Sequence, residues 1–113
     1  MKQITFSYNG KAYTLEFTRE IVRNMQKRGF VIDEIDTKPA VVIPDLFAAA
    51  FVKNHPTVKR DKVDEIYANI RDKRGLLEAL IELYNEPQNA LMDDEDEPGN
   101  VEWTQNWERK EET

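Results

Sequence analysis

Few residues of this chain are of the types, or at the spacings, that perform chemistry. The single histidine, His55, stands before Pro56 in a sequence without cysteine. Alone it lacks the partners of the usual zinc sites, and a hydrolytic triad would need a matched nucleophile and an orienting carboxylate; a capping or surface role is expected. The run Asp93-Asp94-Glu95-Asp96-Glu97 supplies carboxylates but not the spaced ligands and turn glycine of a calcium loop. Gly10, Gly29, Gly75 and Gly99 stand singly, so no glycine-rich phosphate cradle exists, and each reads as a turn or a helix stop. The aromatics between Ile4 and Phe17 resemble a base-stacking platform, yet Lys2 and Lys11 are the only basic residues among them, which favours core packing. Neither an enzyme nor a cofactor or metal site is expected.

The chemistry that remains is association. Both tryptophans fall in Val101-Glu102-Trp103-Thr104-Gln105-Asn106-Trp107. Four residues apart, Trp103 and Trp107 share one face of a helical turn, a common way for a short segment to dock into a groove. The groove can belong to a partner or to the chain's own body, and the sequence leaves both open. The second apolar concentration is Pro39 to Val52, polar only at Asp45. It is well short of the roughly 20 residues that span a bilayer, so it reads as the hub of a core and no membrane association is expected. Phe47 and Phe51 of this hub join Trp103 and Trp107 as the candidate partner-binding residues.

Charge divides the chain. From Met1 to Asn85 there are 14 Lys and Arg against 12 Asp and Glu, a balance of +2; from Glu86 to Thr113 there are 2 against 10, a balance of −8. A near-neutral body is a poor surface for nucleic acid, and no nucleic-acid partner is expected. The acidic tail maintains solubility or mimics nucleic acid, the former being commoner. At 113 residues the chain makes one core. Absence of cysteine and of a signal-peptide apolar run at the start leads to an expected cytoplasmic location.

These segments need elements to hold them. Ile4, Phe6 and Tyr8, then Tyr13, Leu15 and Phe17, alternate with polar residues around Asn9-Gly10, the signature of a hairpin with a type I′ turn. One apolar face must therefore lie on helices or on another chain. Thr18 caps a helix predicted to Arg28 and stopped by Gly29, its basic residues Arg19, Arg23, Lys27 and Arg28 lying off the apolar stripe. An apolar connector, Phe30 to Ile32, and a polar loop, Asp33 to Lys38, lead to a helix predicted from Pro39 to Asn54 with a bend near Pro44. A third helix is predicted from Lys59 to Asp72, broken by Gly75, and a fourth from Leu76 to Asn85, with a separate turn beyond Pro87. The predicted fold is thus α+β: an N-terminal β-hairpin followed by a bundle of about four helices (1–92), then an acidic flexible linker and Trp-bearing tail (93–113).

The opening Ile4-Thr5-Phe6-Ser7-Tyr8-Asn9-Gly10-Lys11-Ala12-Tyr13-Thr14-Leu15-Glu16-Phe17-Thr18-Arg19-Glu20, the Gly29-Phe30-Val31-Ile32 connector, the apolar helix from Lys38-Pro39 to Phe51, the stretch Leu83-Tyr84-Asn85-Glu86-Pro87 and the closing Gly99-Asn100-Val101-Glu102-Trp103 with Trp107 resemble, in that order, the small tail assembly chaperones of long-tailed bacteriophages. That resemblance implies a non-enzymatic protein that coats the tape measure protein, aids assembly of the tail tube protein around it, and self-associates along the rod. It also implies the cytoplasm of the infected or lysogenic bacterial host as location, and absence from the mature virion. The competing expectation, from the acidic tail, is a phage-encoded inhibitor that binds a host defence protein by occupying its nucleic-acid channel.

Overall fold

A computed structural model describes residues 2–92, with side chains through Asn89. The expected acidic tail, with Trp103 and Trp107, lies outside the described residues. The fold is α+β, an antiparallel hairpin followed by four helices.

Strands β1 (Ile4–Tyr8) and β2 (Lys11–Leu15) pair with Ile4 opposite Leu15, Phe6 opposite Tyr13 and Tyr8 opposite Lys11. Asn9 and Gly10 turn the chain at φ 50° and 79°, the two positive angles that a type I′ turn needs and that this pair adopts most readily. Period-two alternation puts Ile4, Phe6, Tyr8, Tyr13 and Leu15 on the face packed against the helices, with Thr5 and Ser7 exposed behind it.

Helix α1 (Arg19–Lys27) starts where Thr18 Oγ1 accepts the Ile21 N–H at 3.1 Å. It stops at Gly29, whose φ of 94° lets the Gly29 N–H reach the Gln26 carbonyl and the Phe30 N–H the Met25 carbonyl, both at 3.0 Å. Part of the expected polar loop winds instead into a 3-10 turn, Ile32–Ile35.

Helix α2 (Pro39–Ala49) ends five residues before the predicted Asn54. The reason is a competing donor. In a continued helix the Ala50 carbonyl would take the Asn54 N–H, but here it accepts the Glu16 N–H of the hairpin at 3.1 Å. Residues 50–54 form tighter turns, with the Phe51 N–H on Ala48 and the Val52 N–H on Ala49. Helix α3 (Arg60–Ala68) also stops early, because the side-chain amide of Asn69 replaces its backbone N–H on the Glu65 carbonyl at 2.9 Å and donates to Tyr8 Oη at 3.3 Å.

Helix α4 (Lys73–Met92) corrects two expectations. Gly75 breaks nothing; it lies in the first turn, where its N–H donates to Asp72 Oδ1 at 3.1 Å, and a Cβ there would collide with that carboxylate. The helix also runs through Pro87 without restarting. An internal proline costs about 3 kcal/mol, and it is offset here by packing on α1, where Gln26 Nε2 donates to Tyr84 Oη at 3.2 Å and to Gln88 Oε1 at 2.8 Å.

The core joins β2, α2, α3 and α4 through Leu15, Leu46, Phe47, Phe51, Ile66, Leu80 and Tyr84, each at most 2% exposed, and Val22 and Met25 bring in α1. Helix α2 is its hub on one side only. Val42, Leu46 and Phe47 face inward, whereas Val41 is 59% and Val52 48% exposed. On the other side Val41, Asp45, Ala48, Ala49 and Val52 recur at three- and four-residue spacing and form an outward stripe, exposed at Val41 and Val52 and half-buried at Asp45, Ala48 and Ala49.

The outer edge of β2 is covered at Thr14, and beyond the strand at Glu16, without a third strand. Besides the bond from Glu16 to Ala50, the Thr14 N–H donates to His55 Nε2 at 2.9 Å, and the Thr14 carbonyl accepts from Asn54 Nδ2 at 3.2 Å. Unpaired strand edges invite association, and two side chains prevent it here. His55→Ala, which orphans the Thr14 N–H and removes a ring 5.1 Å from Tyr13, is expected to cost about 1–2 kcal/mol in urea unfolding.

Candidate functional site

Two features of the described residues go beyond packing: a buried carboxylate and an open apolar groove. Glu16 follows Leu15 out of the hairpin and is 1% exposed. Its Oε1 accepts from Asn54 Nδ2 at 3.0 Å and Gln3 Nε2 at 2.9 Å, and its Oε2 from Lys53 Nζ at 2.8 Å. The hydrogen bonds from Asn54 and Lys53, helped by Gln3, outweigh the cost of burial and hold its pKa at about 2. So weak a base, with both oxygens engaged, is suited to tying β2 to the end of α2 and not to proton abstraction at neutral pH. Sequence reading placed Glu16 on the outer face of the hairpin; the one available signal was a lone charge between Leu15 and Phe17.

The groove lies between α1 and the outward stripe of α2. Ile21 and Met25 form one wall, Ala48, Ala49 and Val52 the floor and other wall, and Phe30 closes one end. It encloses about 310 Å³, the lower end of the range for pockets that take a ligand or a few side chains. Local rules build it. The stop at Gly29 brings Phe30 back beside Met25, and the Ala48-Ala49 pair leaves room that larger residues would fill. Asn24 and Arg28 stand on one rim and Asp45 on the other, where Asp45 Oδ1 accepts from Arg60 Nη2 at 3.0 Å. An apolar trough with opposite charges on its two rims accommodates the apolar face of an amphipathic helix.

A second hollow of about 530 Å³ lies on the opposite flank of α1, lined by Arg19, Val22, Arg23 and Gln26 and, from α4, Pro87, Gln88 and Asn89. Among the described residues no three metal-ligating side chains converge, and no described helix is long and apolar enough to cross a membrane.

Of the four candidate partner-binding residues, Trp103 and Trp107 lie outside the described residues. Phe47 and Phe51 are 0% and 2% exposed and pack on each other at 5.0 Å between ring centroids. In this fold neither ring offers surface to a partner. The surface that α2 and the turn after it do present, Ala48, Ala49 and Val52, was not singled out from the sequence, where an apolar run does not show which of its residues stay uncovered.

Fold and groove together define the class: a small α+β domain with an apolar groove between two of its helices. The chain belongs to the family described as a domain of unknown function (DUF5055), whose model matches residues 1–107. Comparison with curated proteins and with solved structures gives no match.

Proposed function

We propose that this protein is a non-enzymatic tail assembly chaperone of a long-tailed bacteriophage, which binds the tape measure protein and aids assembly of the tail tube protein around it. The observation that carries the reading is the trough between α1 and α2, joined to the resemblance of the chain from its hairpin to Trp107. A tape measure is a long helical chain with apolar stripes, and a stripe of that kind fits a groove floored by Ala48 and Ala49. Self-association along the rod multiplies weak individual contacts into avidity. In this reading the protein acts in the cytoplasm of the infected or lysogenic host and is left out of the mature virion.

Co-expression with the tape measure protein of the same phage is expected to yield a complex that survives purification at low salt. Ala49→Arg, which fills the floor with a charged side chain, is expected to weaken that complex roughly tenfold or more while leaving the melting temperature within a few degrees. Equal binding by the variant, or no complex with the wild-type chain, overturns the proposal. The −8 balance from Glu86 to Thr113 favours a second reading, an acidic inhibitor that binds a host defence protein by nucleic-acid mimicry. Removal of residues 93–113 separates the two, because an inhibitor of that kind loses its activity and a chaperone keeps its groove.

A further inference from the structure

We infer that the chain's own C-terminal segment occupies the α1/α2 groove, with the acidic run 93–97 crossing the basic outer face of α1 and Trp103 and Trp107 seated against Ala48, Ala49 and Val52. This holds whatever the external partner is.

The first observation is where the described chain ends. Helix α4 runs antiparallel to α1, with Tyr84 and Gln88 at Gln26 and Asn89 sharing a hollow with Arg19 and Arg23. It therefore delivers Met92 to the N-terminal half of α1, on the flank opposite the groove. Reaching the groove means crossing one helix, whose diameter with side chains is about 10–12 Å. The eight residues Asp93 to Asn100 span up to about 26–29 Å when extended, enough to cross that convex surface and bring Val101 to the mouth near Ile21.

Charge complementarity is the second observation. The face to be crossed exposes Arg23, Lys27 and Arg28, and among the described residues none of the three is in an ion pair. Glu20 is the only exposed acid of α1. The crossing segment carries five consecutive acids, Asp93 to Glu97, and no basic residue. Spacing completes the match: Trp103 and Trp107 are four residues apart, the separation that brings two side chains to one side of a helical turn, and the groove is a trough lined by Ile21, Met25 and two alanines. Burying two indoles and the exposed Val52 together removes one of the larger apolar surfaces of the chain from water.

The composition makes the test clean. Trp103 and Trp107 supply the only indole N–H signals, and a chain without cysteine accepts a spin label at one engineered position. In the full-length protein, a nitroxide on Val41→Cys, exposed on the same stripe but outside the groove lining, is expected to broaden both indole signals to less than half their intensity, while a nitroxide on Ser7→Cys, on the exposed hairpin face, leaves them sharp. Arg23→Glu with Lys27→Glu is expected to restore most of the lost intensity, as is salt high enough to screen exposed charges. Sharp indole signals next to labelled Val41 overturn the inference. So does broadening that appears in a mixture of isotope-labelled chain with separately spin-labelled chain, which would place the tail on a second copy. No tape measure protein enters the experiment, so its failure and failure of the chaperone reading are distinct results.

Discussion

Replacing Phe47 with alanine is expected to remove about 3–5 kcal/mol of folding stability, a large share of the 5–15 kcal/mol typical of a domain. The ring is 0% exposed and meets Phe51 at 5.0 Å and Tyr67 at 5.3 Å between centroids, both edge to face. Phe51 in turn meets Tyr13 at 5.7 Å and Phe6 at 6.3 Å, so Phe47 links the hairpin to α3 through the middle of α2. Truncation removes the transfer free energy of the ring and leaves a cavity walled by three elements that cannot collapse together. Urea unfolding followed by circular dichroism measures the loss. A change under 1 kcal/mol would show that α2 is not the hub of this core.

The second large effect is electrostatic and depends on pH. Glu16→Gln keeps the shape of the side chain but removes the charge that Asn54, Lys53 and Gln3 stabilise. The folded carboxyl titrates at about 2 against an ordinary value of 4.5, so the ionised form contributes about 3 kcal/mol to folding. A carboxyl whose folded pKa is depressed stabilises the fold above the unfolded pKa and loses that contribution as pH falls through the folded one. The variant is therefore expected to be about 3 kcal/mol less stable than wild type at pH 7, with the gap closing between about pH 4.5 and pH 2. Parallel urea titrations across that interval measure it. A gap that stays constant with pH would show that Glu16 acts by shape alone.

These two positions differ in how they could be read beforehand. Phe47 lies in an almost uninterrupted apolar stretch, and no arrangement of a chain this size leaves such a stretch in water. Glu16 sits in a strand-like alternation that points it outward, and its burial depends on Lys53 and Asn54, 37 and 38 positions away. His55 is similar: a residue before proline reads as an end cap, and its use as an acceptor for Thr14 requires a strand 41 positions distant. The groove falls between these cases. Gly29 and the alanine run are visible in the sequence, yet a trough exists only once α1 is laid beside α2.

Local physics, carried by the sequence alone, determined the hairpin through Asn9-Gly10 and its alternation, the two ends of α1 through Thr18 and Gly29, and the central place of the apolar stretch. Tertiary structure decided where α2 and α3 end, that α4 passes through Pro87, that Glu16 is buried and ionised, and that Ala48, Ala49 and Val52 line an open groove. The division has one cause. Turns and caps are satisfied by neighbours a few residues away, so their residue types announce them. A carbonyl claimed by a distant strand, a charge neutralised by a distant amide, or a gap between two helices is satisfied by groups that only the folded chain brings together.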